Sequence, residues 1–541
     1  MTKTPQNQTA SYVGEILTAL GRQPDRVALI SGGRRMTARE VRDLTYRLAR
    51  ALNARGLGPG TTVALLTGNS PEAFVLRHAV QLAGCQITYL RHDLSTDLHS
   101  LLLGGLGDHA LVVDPGHIGR GADIAARAGT KDFLVLGTPH APDERWSETS
   151  EDLLAAAARV SAEPFACPAR PDAVHTLLHT GGSTGHPKGV CHTAAQQVGF
   201  RLQLLDLRPP GGRELLCTPP AAIGGYLADL ALYGGGTVVL TEGFDAAGVL
   251  EVIERERISG VYLPPPMLFE LLDHPDLARR DTSSLTHIVY GGCAASPRRV
   301  ADALSHFGPV LIQVYGQTET GIITALRAED HDPDRPERLR SVGKALPGVQ
   351  VAVRDESGLD LPTGAVGEIC VKSPMVMRGY WKQPELTRES LSGGWLRTGD
   401  LGCLDEHGYL TVAGRANEVI NKSVGRIHPA EIEDVLNSRP DIADCAVFGV
   451  RRSDWTEDVH AVVVPVQGTA LDHQHIREFV RTTLGARYEP SAVTVAAEIP
   501  LTESGKPDKK LLRQRAQTTV TVGHDDAIES GLESGLDGQR A

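Results

Sequence analysis

The stretch His179-Thr180-Gly181-Gly182-Ser183-Thr184-Gly185-His186-Pro187-Lys188-Gly189-Val190 concentrates the groups that read phosphate. Its glycines let the backbone turn so that N–H groups point at an anion. Thr180, Ser183 and Thr184 add hydroxyl donors, and Lys188 adds a positive charge. The pattern is not a Walker A loop, in which lysine directly follows glycine and precedes Ser or Thr, because Pro187 and Gly189 flank Lys188. Read alone, it is equally a surface turn. Glu319, in Val314-Tyr315-Gly316-Gln317-Thr318-Glu319-Thr320-Gly321, is a carboxylate after an apolar run, suited to Mg²⁺ on a bound triphosphate or simply solvated. Asp400, closing Trp395-Leu396-Arg397-Thr398-Gly399-Asp400, either accepts ribose hydroxyls or caps an Asx turn. Lys506 sits on the Gly/Ser loop Thr502-Glu503-Ser504-Gly505-Lys506-Pro507, where most lysines are only solvated charges.

The elements that must position these groups follow from periodicity. A helix is predicted from Tyr12 to Gly21, and Thr37-Ala38-Arg39-Glu40 has the form of a capping box before Val41, Leu44, Leu48 and Leu52. Strands are predicted at Arg26 to Ile30, Thr62 to Leu66, Gln86 to Leu90, Ala110 to Val113, Phe133 to Leu136 and Val174 to Leu178, with a helix over Pro71 to Ala83. The alternation continues through Thr237 to Leu240, Gly260 to Leu263 and His287 to Tyr290, which implies a large, mostly parallel α/β body. Short alternating runs from Gly348 to Val371 suggest a β-rich subdomain, and a small α+β unit begins after Gly414-Arg415. The expected organisation is a disordered N-terminus over 1–11, a large unit over 12–414, a hinge over 415–418, a small unit over 419–515 and a disordered acidic tail over 516–541.

Composition excludes several classes of function. A net charge of −12, with 66 acidic against 54 basic residues and only 4% aromatics, opposes a nucleic-acid surface. No run approaches the ~18 apolar residues of a membrane span, and Met1 to Ala10 lacks the features of a signal peptide. The eight cysteines form no C-x-x-C pair and read as small buried hydrophobes in a reducing compartment, which places the chain in the cytoplasm.

Together, these motifs resemble the adenylate-forming superfamily of acyl-CoA and aryl-CoA synthetases, nonribosomal peptide synthetase adenylation domains and luciferases. The resemblance runs from about residue 12 to 515, with the motifs in the family's order. Thr180 to Gly189 is similar to its phosphate loop, Tyr315 to Glu319 to its Tyr-Gly-x-Thr-Glu motif, and Gly367-Glu368-Ile369 with Gly379-Tyr380 to its Gly-Glu-Ile…Gly-Tyr segment. The resemblance implies ATP and Mg²⁺, with CoA as co-substrate and a small carboxylic acid as the group activated. It implies that Thr180, Gly181, Gly182, Ser183, Thr184, Gly185 and Lys188 hold phosphates and that Glu319 holds the metal. Gly292, Cys293, Ala294, Tyr315, Gly316, Gln317 and Thr318 would frame the nucleotide, and Asp400 and Arg415 would hold the ribose. Lys506, Glu319 and Thr180 would be catalytic. The acyl pocket would draw on Ala222, Ile223, Gly224, Gly291 and Gly321, whose small side chains hint at room.

Three positions depart from the family pattern. Ala222 stands where relatives carry His or an aromatic residue, and Asn417 stands at a hinge position that is usually Asp or Lys. In Asn421-Lys422-Ser423-Val424-Gly425-Arg426, Val424 replaces a glycine, and a β-branched residue resists positive φ and adds bulk on the path of a pantetheine arm. The leading reading is an ATP-dependent acid–CoA ligase. The alternatives are an adenylating enzyme with a carrier-protein thiol or a nitrite/amine route as acceptor, and a nucleotide-binding regulator that has lost catalysis.

Overall fold

The computed structural model describes residues 11–138, 151–180, 188–208, 210–422, 425–452, 456–502 and 505–517. The expectations of disorder for 1–10 and 518–541 therefore lie outside the described residues. Ser11 is buried at the start of the first helix, and 509–517 are helical, so the ordered chain extends slightly past both expected ends.

Strand and helix alternate as the periodicity predicts, but the strands divide between two large sheets. A nine-stranded sheet runs in the order Lys344–Ala345, Gly321–Leu326, Leu311–Gln317, His287–Gly291, Gly260–Leu263, Arg213–Leu216, Thr237–Leu240, Val27–Ser31 and Arg34–Thr37. An eight-stranded sheet runs Gly379–Tyr380, Lys188–Thr193, Val174–Thr180, Gln86–Tyr89, Thr62–Leu66, His109–Val113, Asp132–Val135 and Glu151–Asp152. The inner pairings are parallel, and antiparallel strands close the ends that carry Glu319 and Lys188. Thr62–Leu66 is buried along its whole length, as a strand covered on both faces must be.

Helices Ala38–Asn53, Pro71–Leu82 and Ile223–Tyr233 join the two sheets into one core. That core contains Leu29, Leu216 and Val238 from the first sheet, Val63, Ile87 and Val112 from the second, and Leu48, Phe74 and Ala228 from the helices. Local chemistry starts these helices: Thr37 and Glu40 form the expected capping box, and Ser70 accepts from Ala73 N ahead of Pro71. A five-stranded antiparallel sheet follows, with Gly367–Lys372 paired to Trp395–Leu404 and the latter to Leu410–Arg415. The small unit after it pairs Ile442–Arg451 with Glu457–Pro465 and Ala492–Val495, and has its own core of Ile432, Leu436, Val447, Val463, Ile476 and Val480. No helix among the described residues is long and apolar enough to cross a membrane.

Between the sheets, Asp229 is fully buried and pairs with Arg77, Arg201 and His78, whose Nε2 lies 2.7 Å away. Burial alone would raise the Asp229 carboxyl, but the two guanidinium groups outweigh it and hold it well below the usual carboxylate range. His78 is held neutral by the same burial. Removing the single anion would strand two arginines in an apolar interior. Asp229→Ala is expected to destabilise the large unit by about 3–5 kcal/mol, whereas Arg34→Ala, which breaks the exposed pair with Glu72, costs under about 1 kcal/mol. Denaturant midpoints of the two variants check this ordering, and an Asp229→Ala midpoint near that of wild type contradicts it.

Candidate active site

Strand Val174–Thr180 and strand Lys188–Thr193 form a hairpin in which Thr180 and Lys188 stand opposite each other. The turn itself, with Gly181, Gly182, Ser183, Thr184 and Gly185, lies outside the described residues, as do Ser423 and Val424. Lys188 Nζ lies 5.3 Å from the centroid of the Tyr380 ring. Beside Thr180, His179 Nδ1 meets Thr88 Oγ1 at 3.3 Å, linking the hairpin to the neighbouring strand.

Glu319 occupies the turn between Leu311–Gln317 and Gly321–Leu326, closed by Gln317 N donating to Thr320 Oγ1 at 3.0 Å. It is half-buried, and its Oε1 accepts from the Tyr380 hydroxyl at 3.2 Å. A lone carboxylate so placed suits a hard divalent cation that completes its shell with phosphate oxygens and water. The carbonyl of Thr318 accepts from His192 Nε2 at 2.6 Å.

Asp400 is nearly buried, and its carboxylate is the most heavily hydrogen-bonded group of the site. Oδ2 accepts from the Tyr315 hydroxyl at 2.6 Å and from Gln317 Nε2 at 2.6 Å, while Oδ1 meets Arg415 Nε at 2.8 Å. Gln317 Nε2 also donates to the Thr398 carbonyl at 3.0 Å. Tyr315 and Gln317, expected to frame the base, thus reach Asp400 with their polar ends. Burial and the adjacent carboxylate raise the Tyr315 phenol well above its ordinary value, so it stays a donor.

Gly292 follows strand His287–Gly291 with φ +95°, a conformation open to glycine but strained for other residues. Cys293 is half-buried with its thiol pushed up to about 12 by burial, and Ala294 is exposed. Against this loop comes Lys506 from the small unit. Its Cε lies 3.4 Å from where a Cβ on Gly292 would stand, and Gly505 packs on Pro264 and Met267 of the large unit. Thr502 N donates to the Lys506 carbonyl at 2.8 Å and closes the loop. Lys506 as a residue is exposed, yet desolvation of its ammonium lowers its pKa, with Cys293 and Asp400 opposing and Arg415 and Arg91 assisting that shift.

Around the glycines expected to line the acyl pocket, neighbouring groups pack closely. A Cβ on Gly291 would collide with the Val314 carbonyl, one on Gly224 would crowd Thr218 Oγ1, and one on Gly321 would enter the Phe200 ring. These glycines permit close approach of neighbouring strands and side chains and leave little free room of their own. Ala222 and Ile223 are half-buried at the start of helix Ile223–Tyr233. Phe200, with His192 at 5.3 Å and Tyr226 at 5.8 Å between ring centroids, occupies the space beside Gly321. No local sequence signal marks Phe200, because its partners lie on other elements.

His175, His179 and His192 flank this hairpin, and His99 lies near His179; burial pulls each from 6.5 down to about 4. Unfolded, these groups take protons as pH falls through 6.5, while the folded chain resists until about 4. The unfolded state therefore binds more protons in that window, and stability falls with falling pH. Asp444, a carboxyl pushed up to about 6 by burial, opposes the trend, as do Asp114, Glu270 and Asp434, which burial also raises, while His78, His117, His331 and His460, lowered by burial, reinforce it. The thermal unfolding midpoint is expected to drop as pH is lowered from about 6.5 to about 4; a midpoint flat across that window contradicts the burial of neutral imidazoles.

The sequence profile of the AMP-binding enzyme family matches residues 17–381, and that of the AMP-binding enzyme C-terminal domain matches 431–506. The chain is 35% identical to a medium/long-chain-fatty-acid–CoA ligase of Mycobacterium tuberculosis over 94% of its length and 90% of the relative's. It is 33% identical to an indoleacetate–CoA ligase of Aromatoleum aromaticum over 91% of its length and 96% of that protein. Among solved structures, the amide bond synthetase McbA of Marinactinospora thermotolerans superposes with a TM-score of 0.83 at 38% identity, covering 93% of this chain and 99% of that one.

Proposed function

The chain belongs to the AMP-binding enzyme family, and from that premise we propose that it activates a small carboxylic acid with ATP and passes the acyl group to coenzyme A. The observation that carries the reading is the position of Lys506: an ammonium-bearing side chain from the small unit comes against Gly292 of the large unit, and desolvation lowers its pKa. A cation there neutralises charge that develops as a carboxylate attacks the α-phosphorus and pyrophosphate leaves.

In this reading Thr180, Ser183, Thr184 and Lys188, with the N–H groups of Gly181, Gly182 and Gly185, hold the β- and γ-phosphates. Glu319 holds Mg²⁺, which when bound neutralises phosphate charge. Gly292 to Ala294, Gly316, Thr318 and the Tyr315 ring would frame the adenine, and Asp400 and Arg415 would hold the ribose hydroxyls. Since Tyr315, Gln317 and Arg415 already donate to Asp400, its carboxylate is oriented before ribose arrives. The small unit then turns about Asn417 so that Lys506 withdraws and the acceptor enters.

A second acceptor, an amine, is supported by the likeness to an amide bond synthetase at 38% identity. Val424 supports it too, since it adds bulk where a pantetheine arm would pass. A carrier-protein thiol and nitrite are separated by the same assay: AMP and product formation from ATP across aliphatic and aromatic acids with CoA, amines, carrier protein or nitrite supplied. Acid-dependent release of AMP is expected, and ADP as the product would overturn the reading.

Lys506→Ala is expected to slow adenylate formation from acid and ATP by roughly 10²- to 10³-fold, while leaving acyl transfer from supplied adenylate near the wild-type rate. Separate assays of the two half-reactions decide it: equal slowing of both, or of neither, makes Lys506 a solvated charge.

A further inference from the structure

The segment that carries Gly379–Tyr380 bridges the two large sheets. Met377 N donates to the Glu319 carbonyl at 2.7 Å, on the hairpin of the nine-stranded sheet. One and four residues later, Arg378 N donates to the Cys191 carbonyl at 2.9 Å and Trp381 N to the Gly189 carbonyl at 2.7 Å, on the strand that follows the phosphate loop. Gly379 fits this path because a Cβ there would crowd Thr387, whose hydroxyl accepts from Tyr380 N at 2.9 Å. The Tyr380 ring is thereby fixed between one group from each sheet. Its hydroxyl donates to Glu319 Oε1 at 3.2 Å, and Lys188 Nζ rests 5.3 Å from the ring centroid.

Lys188 and Glu319 are opposite charges on facing walls of one cleft, yet among the described residues they make no ion pair with each other. In a partly desolvated cleft such a pair would form readily, and an incoming phosphate and metal would have to break it. The phenol removes the incentive on both sides. Its face attracts the ammonium, and its O–H gives the carboxylate a charge-assisted hydrogen bond.

We propose that Tyr380 is a positioning residue that keeps Lys188 and Glu319 apart and aimed at the phosphate and metal sites while the cleft holds no nucleotide. The inference rests on reading the cleft as a site for ATP with Mg²⁺. It assigns the hydroxyl and the ring separate tasks: the hydroxyl orients the metal carboxylate, and the ring spaces the lysine.

The test uses the full chain and measures binding apart from turnover. Tyr380→Phe keeps the ring and the strap. It is expected to weaken Mn²⁺ binding in the presence of ATP, read by electron paramagnetic resonance, by about three- to tenfold. The Mg²⁺ concentration for half-maximal ATP binding is expected to rise in parallel, while metal-free AMP, held by the Asp400 region, binds as to wild type. In a Glu319→Gln background the same substitution is expected to add nothing, because the hydroxyl acts through that carboxylate. Tyr380→Leu, which also removes the aromatic face, is expected to weaken ATP further while sparing AMP. Unchanged Mn²⁺ and ATP affinity in Tyr380→Phe overturns the proposal, as does equal loss of AMP and ATP affinity, which marks Tyr380 as scaffold. Wild-type protein that binds AMP but gains no affinity from Mg²⁺ and ATP overturns the underlying reading of the site instead.

Discussion

The Asp400 carboxylate is the joint on which the candidate site depends. Its donors come from the nine-stranded sheet through Tyr315 and Gln317, and from the end of the five-stranded sheet through Arg415. A nearly buried carboxylate is costly to leave unpaired, so each donor segment is held where its side chain can reach it. Thr398 reinforces the joint, with its hydroxyl donating to the Ile369 carbonyl at 2.7 Å and accepting from Asp400 N at 3.0 Å. Arg415 is the last residue before the turn Ala416–Glu418 that leads into the small unit, so the same carboxylate also fixes where that unit departs.

The attachment of the small unit is of a different kind. It meets the large unit through a hydrogen bond from Arg298 Nη2 to the Ile442 carbonyl at 3.2 Å, a pairing of Arg340 with Asp434 at 3.7 Å, and the seat of Gly505 on Pro264 and Met267. Solvent-accessible ion pairs of this sort contribute at most about 1 kcal/mol each. The unit's own apolar core is separate from those of the large unit, so it can be turned without unpacking. Inside that unit Lys509 pairs with Glu433 at 2.8 Å, steadying the segment that follows Lys506. Under the proposed function, a firmly packed large unit and a weakly held lysine arm would suit two steps that need the arm in one and absent from the other.

Much of this was legible in the sequence because it is local. Helix Pro71–Leu82 forms where a helix over Pro71 to Ala83 is expected, the capping box at Thr37 and Glu40 forms, and the apolar runs at Thr62–Leu66 and Gly260–Leu263 are buried strands. Side-chain period, cap chemistry and turn residues act over a few positions and leave their mark in order along the chain. Glu319, Asp400 and Lys506 were each open to a solvated or turn reading locally and stood out only through the order of motifs that resembles the family.

Only the tertiary structure decided how those groups meet. Periodicity cannot say which sheet a buried strand joins, and the division into two sheets places Lys188 and Glu319 on different ones. The hydrogen bond from Tyr380 to Glu319 spans 61 positions and that from Tyr315 to Asp400 spans 85, beyond the reach of any local pattern. Glycines 291 and 321 look in sequence like space for a substrate, and only the structure shows that an added Cβ would meet Val314 or Phe200 from other elements. The sequence by itself determined which chemical groups the chain owns and the local elements that carry them. Packing of distant segments determined which of these share a cleft, because contact across a core depends on strand order and side-chain volume rather than on spacing along the chain.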